Sequence, residues 1–298
     1  MSMRRYLLIR AAWQAGVLFG FVSLAYVVAF VVPETHLGHD PGYGGFLGDL
    51  ARGSLGRSDA PQPGIAAPSI RSLVWDASSV TLSFLFLTGV FAVGLGALFA
   101  FATVRSPRWR TVVRGVGMIF VSLLPLWTGL YLAAHLGADW HIVRTGGYCP
   151  LRASPEYGCH GLGPWLASLL LPAIALGIYF AGIYGRWLAA AFRKGAEEYR
   201  RDLEDGRDAA EAKRAARRRH GLAFAKQLSR DFAFAIGFGA FLEAVFGLPG
   251  LGRTVIFAAH GDAPLMAGAL VAASVLAAGV TFLVDVVCAA RDPSFRRF

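Results

Sequence analysis

Residues 80–104 read VTLSFLFLTGVFAVGLGALFAFATV, a run without one charged side chain. Its apolar residues are not confined to one stripe of a helix but go all the way round. A helix of this length rises about 37 Å, more than the roughly 30 Å of a bilayer's hydrocarbon core. The stretch is therefore a membrane span, and similar blocks cover 11–32, 112–136, 165–188, 232–246 and 264–290. The pattern predicts an all-α polytopic membrane protein with about six transmembrane helices in a single domain, 1–298. Composition agrees, with 55% hydrophobic residues, only 16% charged and a mean hydropathy of +0.51. The first block follows a short basic head. Its apolar core of about 20 residues exceeds the roughly 7 to 15 of a signal peptide, and Val31, Val32 and Pro33 lack the small residues of a cleavage site, so it reads as a retained helix.

Orientation follows from the basic residues, because loops on the cytoplasmic side keep an excess of Lys and Arg near span ends. With both termini inside, 23 of the 29 Lys and Arg fall on the cytoplasmic side. The outer segments, 34–77 and 138–163, hold only Arg52, Arg57, Arg71, Arg144 and Arg152, and Arg253 follows the fifth span. The net charge of +10 is thus a property of topology in the lipid bilayer. No basic stripe interleaved with aromatics lies outside the membrane-flanking loops, so nucleic acid is not expected as a partner.

Smaller features refine this picture. Pro125 in the third block and Pro172 in the fourth each remove a backbone hydrogen bond and predict kinks. Gly16 and Gly20 form a small-xxx-small pair suited to close helix approach. Cys149 and Cys159 share one outer loop and form the single plausible disulfide, with free thiols as the alternative; Cys288 lies near the inner end of the last span. With His160 beside them the cysteines do not complete a tetrahedral zinc set, and no metal site is expected.

The inner segment 189–231 has eleven basic side chains between Arg193 and Lys226, together with Glu197, Glu198, Asp202, Glu204, Asp205, Asp208 and Glu211. Acids precede bases, as a helix macrodipole favours, and the Ala-rich run 209–219 has high helix propensity. The segment predicts a cytoplasmic helix or helix pair; the plainer alternative is a charged, solvated hairpin.

Enzymatic signatures are lacking. No Gly-Lys pair exists to build a P-loop, and the three lysines are Lys194, Lys213 and Lys226. The histidines His36, His39, His135, His141, His160, His220 and His260 never show HExxH spacing, and GxSxG is absent. No catalytic residue or cofactor is expected in this chain, so any ATP and its Mg would be handled by another subunit. Glu243 and Asp285 lie within apolar blocks, where a charge costs on the order of 3 kcal/mol or more and normally faces protein or a polar cavity. Each reads either as a packing group or as an ion site. After Glu243, three glycines and a proline in Gly247, Pro249, Gly250 and Gly252 end the fifth helix in a tight turn.

These residues together resemble a family. EAVFGLPGLG at 243–252, with Glu243, Phe246, Gly247, Pro249, Gly250 and Gly252, is similar to the acid-x-Val-Phe-x-x-Pro-Gly-Leu-Gly stretch of dipeptide, oligopeptide and nickel permeases of binding-protein-dependent ABC importers. The tail with Val284, Asp285, Arg291, Asp292 and Pro293 resembles that family's ending, and FLGDLARGSLGRS at 46–58, Ser122 to Pro125, Leu171 and Pro172 match in order. The resemblance implies the type I importer permease fold. As partners it implies a second homologous permease, two ABC ATPase subunits carrying ATP and Mg, and an extracytoplasmic solute-binding protein. It also implies that 189–231 is a coupling loop with a short helix docked on the ATPase. Glu197, Glu198 and Tyr199 look like the family's lead-in, Gly206 like its glycine, and His220 and Leu222 like its His-x-Leu. Here the Tyr199–Gly206 interval is one residue short, the Gly206–His220 interval about four longer, and acids replace the usual small residues before Gly206. The rival from another class is an ion- or proton-coupled secondary transporter or channel using Glu243 and Asp285.

Overall fold

The computed structural model describes residues 2–31, 41–58, 69–122, 124–139, 147–151, 159 and 161–296. Parts of the outer segments (32–40, 59–68, 140–146, 152–158 and 160), with Pro33, His36, His39, His141, Arg144, Arg152 and His160, lie outside the described residues, as does Leu123. Among the described residues the chain forms helices and no strand beyond one antiparallel bridge, Arg57 to Ser69.

The long apolar blocks become long helices. α1, Met3–Tyr26, continues as a π turn to Val31; α2 is Gly42–Ala51 and α3 is Ile70–Arg105. α4, Pro107–Ser122, and α5, Pro125–Leu132, share the third block; α6 is Leu162–Glu204, α7 Ala209–Val245, α8 Leu251–Ala258 and α9 Ala263–Arg291. Four stretches, Met3–Val31, α3, α6 and α9, are long and apolar enough to cross a bilayer alone, and the broken pair α4 and α5 makes a fifth if counted as one span. The stretch 232–246, expected as a span, is mostly the end of α7. Its apolar part rises only about 21 Å before the helix stops, and the first half of α7 is highly charged.

Side-chain exposure is inverted relative to a water-soluble protein. On α3, Phe86 is 71% exposed, Leu98 61% and Phe101 58%, while Thr81 and Thr88 are buried. Apolar surface of this extent is stable only where lipid or another protein covers it. The chain is an all-α, multi-pass membrane protein.

The third block does not merely kink. Leu124 is extended (φ −61°, ψ 128°) and Pro125 opens α5 at its first turn, so the two halves bend by 90°. A proline disfavours the helical conformation in the residue before it and suits the first turn of a new helix, hence a break rather than a bend. By contrast α6 runs as helix straight through Pro172.

The helices gather into two compact units, one of residues 1–83, 146–148 and 232–283, the other of 84–145, 149–231 and 284–298. In the first, Val22 and Tyr26 of α1 and Phe30 of the π turn pack on Phe46 of α2 and on Met266, Ala267 and Val271 of α9. The stretch 46–58 supplies the end of α2 and then turns at Gly53 and Gly56, both with positive φ. There the buried Ser58 hydroxyl donates to Asp262, whose other oxygen accepts from the Leu265 amide and caps α9. In the second unit α6 is the hub. A Cβ built at Gly182 would lie 2.7 Å from the Gly117 carbonyl oxygen of α4, and one at Gly96 of α3 would lie 2.9 Å from Tyr184 Cβ. Only glycine permits backbones this close. Gly16 and Gly20, by contrast, face open space.

Candidate functional site

Two groups of motif residues take definite form, one in each unit. In the first, α7 ends at Val245 with the backbone pattern that left-handed glycine allows: Gly247 has φ +67°, its amide donates to the Ala244 carbonyl at 3.4 Å, and the Leu248 amide donates to the Glu243 carbonyl at 2.8 Å. Pro249 follows, exposed, where no helix continues. The Glu243 side chain then turns to the start of α8. Its Oε2 accepts from the Gly252 amide at 2.7 Å and the Arg253 amide at 3.2 Å, and its Oε1 accepts from the Thr81 hydroxyl at 2.7 Å. Thr81 Oγ1 in turn accepts from the Leu251 amide at 2.8 Å.

All three first-turn amides of α8 are thereby satisfied by two side chains from other helices, since Gly250 at the N-cap provides none. A carboxylate at a helix N-terminus also gains from the helix dipole. The glycines are required by contact. A Cβ at Gly250 would collide with the Glu243 carboxylate, and one at Gly252 with Ala240. Phe246 is buried and its carbonyl accepts from the Gly147 amide at 3.2 Å, while Arg253 Nη1 donates to the Gly247 carbonyl at 3.0 Å. Every motif position except Pro249 thus contributes a bond or a close approach. Glu243 is 1% exposed with both oxygens engaged, which is how a carboxylate fixes a turn.

In the second unit, 189–231 is not a loop with a separate short helix. It is the meeting of α6 and α7, joined at 205–208. Gly206 takes φ +79°, and Asp208 Oδ2 accepts from the amides of Ala210 and Glu211 at 3.0 and 3.1 Å, capping α7. The acids-then-bases order is explained by pairing across this hairpin rather than along one dipole. Asp202 pairs with Arg207 at 3.0 Å and Glu198 with Arg219 at 3.2 Å, and the His220 Nε2 lies 3.4 Å from the same Glu198 oxygen. Gly195 makes room for the His220 ring, which a Cβ there would meet at 3.2 Å. Glu197 is exposed and Tyr199 half-buried on the same stretch of α6. The longer Gly206–His220 interval brings Arg219 and His220 level with Glu198.

Leu222 and the C-terminal motif come together. The buried Leu222 presents its carbonyl to Cys288 Sγ at 3.5 Å, and one turn on Lys226 pairs with the buried Asp285 at 3.2 Å. Asp292 Oδ1 accepts from the Ser294 amide at 2.9 Å, and this bond holds its carboxyl below the usual range. Pro293 opens a 3-10 turn to Arg296, whose Nε donates to the Ala289 carbonyl at 2.9 Å. The turn sets Phe295 under the Lys226 ammonium, 5.5 Å from the ring centre. Cys149 and Cys159 are joined as a disulfide, Cα atoms 5.6 Å apart.

Four participants escaped the sequence reading: Thr81, Arg253, Lys226 and Phe295. Thr81 carried only a weak signal, being one of four hydroxyls (Thr81, Ser83, Thr88 and Thr103) in the uncharged run 80–104. Lys226 was hidden among a dozen other cations.

No family model matches the chain. Proteins of Brucella abortus (strain 2308) and Brucella melitensis (biotype 1), both named as peptide transport system permeases, are 24% identical to it over 269 residues, covering 85% of this chain and 79% and 78% of theirs. A similarly named protein of Brucella suis (biovar 1) is 24% identical over 266 residues, 84% of this chain and 78% of its own length. The helices that bury few of their apolar side chains and the similarity along most of the sequence agree: this chain is a multi-pass protein of the cell membrane and a relative of peptide transport permeases.

Proposed function

We propose that this chain is the permease subunit of an ABC importer, forming half of a translocation pathway for peptides or a similar small solute. It would pair with a second permease, two ATPase subunits that bind ATP and Mg, and an external solute-binding protein. One observation carries the reading. α6 has 43 residues, about 65 Å of helix, roughly twice the hydrocarbon thickness. Its last turns and the first half of α7 therefore stand clear of the bilayer as a hairpin, strapped by Glu198–Arg219 and Asp202–Arg207. Such a rigid charged projection suits docking on a partner that works by closing, and 197–222 is the segment we assign to ATPase contact.

The gradient-driven alternative draws less support. Both of its candidate ion sites are occupied, Glu243 by three donors and Asp285 by Lys226. The experiment is purification of the tagged chain from its own membranes in mild detergent. Co-purification of a second permease and P-loop ATPases, lost when 197–222 is replaced by a flexible linker, is the expected result. A chain that purifies alone under every gentle extraction overturns the importer reading.

A further inference from the structure

Below the glycine crossings of the second unit, α3, α4 and α6 separate. At Gly117 and Gly182, and at Gly96 and Gly185, their backbones touch. Farther along α6 a cavity of about 220 Å³ opens, lined by Thr103, Val113, Met118, Arg186, Ala189 and Arg193. The stem of Arg186 lies over Gly117, where a Cβ would be 3.8 Å from its Cγ. Arg186 and Arg193 are seven residues apart, two turns along one helix face, so their long side chains can converge on one anion.

Charge and depth say what that anion is. In the neighbouring hairpin Arg207, Arg219 and Lys226 have acidic partners, whereas Arg200 and Arg201 have no ion pair among the described residues and do not line the cavity. Arg186 and Arg193 have neither an ion pair nor a hydrogen bond among the described residues, and both are exposed. Thr103, Val113 and Gly185 stand at the same end of their apolar blocks, 80–104, 112–136 and 165–188. The wedge therefore lies at a membrane boundary, with Val113 and Met118 toward the hydrocarbon and two unmatched guanidinium groups at its rim. A soluble anion would have no use for the apolar wall, and a zwitterionic headgroup would bring a third cation to a site that already holds two.

We infer that this wedge binds an anionic glycerophospholipid, its phosphate between Arg186 and Arg193 and the start of its acyl chain against Val113 and Met118. Basic pockets between helices at the cytoplasmic boundary suit such headgroups. The inference rests on the membrane spans and their inward orientation but not on the importer reading, so either can fail without the other.

The test is native mass spectrometry of the delipidated full chain, titrated with phosphatidylglycerol, phosphatidylcholine or inorganic phosphate. One phosphatidylglycerol should be retained in preference to phosphatidylcholine. Each arginine contributes about a fivefold preference, so R186Q/R193Q should lower it roughly thirtyfold. R186K/R193K should keep most of the preference, and the charge-matched R200Q/R201Q all of it. An unchanged preference in R186Q/R193Q overturns the site, and so does equal loss in R200Q/R201Q. Displacement of the bound lipid by millimolar phosphate would show a simple phosphate site and overturn the lipid assignment. Should R186Q/R193Q misfold, failure of the wild type to distinguish the two lipids is enough to reject the proposal.

Discussion

Replacing Glu243 tests whether this intramembrane acid is structural. In E243A the hydroxyl of Thr81 and the amides of Gly252 and Arg253 lose their acceptor. Each buried donor left unsatisfied costs about 1–3 kcal/mol. The Arg253 amide, at 3.2 Å and part-buried, belongs at the low end, so the total is about 3–7 kcal/mol, against a whole-protein stability of roughly 5–15 kcal/mol. E243Q keeps one carbonyl oxygen for the two amides. Its NH₂ would face Thr81 Oγ1, which can accept from it beside the Leu251 amide, but the Thr81 proton loses its acceptor and the amide bonds lose their charge assistance, about 1–2 kcal/mol. At about 2–4 °C per kcal/mol, E243A should unfold roughly 6–28 °C below the wild type, followed by the fluorescence of the seven tryptophans in detergent, and E243Q only a few degrees below. Equal loss in both variants would refute the hydrogen-bond account. A variant with unchanged midpoint and abolished transport would make Glu243 an ion site instead.

The remaining predictions use the same readout or a simple chemical one. K226M removes the ion pair between Lys226 and the buried Asp285 and should cost on the order of 2–4 kcal/mol, while K226M/D285N should recover more than half of it, a coupling that independent sites would not show. G252A should destabilise about as much as E243A because Ala240 occupies the space a methyl would need, whereas G279A, with open surroundings, should be neutral. The Cys149–Cys159 bridge spans ten residues, so its removal should cost about 2–3 kcal/mol. Alkylation of both thiols without prior reduction would show that the bridge is not formed.

What the sequence made legible is what depends on neighbours along the chain. The uncharged run 80–104 and the glycines at 247–252 report local geometry, and both appear where expected. Partners far apart do not announce themselves. Glu243 and Thr81 are separated by 162 positions and Glu198 and Arg219 by 21, so the acid at 243 stood open between two roles, and the charge order at 197–219 looked like a dipole pattern until the hairpin folded it back on itself. Pro125 was readable as a disturbance but not as a 90° break, because Leu123 and Leu124 fit a helix equally well by composition. The assembly-level roles of Glu197, Tyr199 and Gly206 rest on resemblance, since contact with another chain leaves no trace in one chain's periodicity.

The glycine crossing at Gly117 and Gly182 gives α6 a fulcrum. Gly182 is 22 residues from Glu204 and 20 from Leu162, arms of about 33 and 30 Å. A rod held there transmits displacement nearly one to one with its sign reversed: a sideways push of 3 Å at the hairpin tip returns about 2.7 Å the other way at the far end of the helix. Pro172, halfway along that far arm and lacking an amide hydrogen, is where the rod would give first.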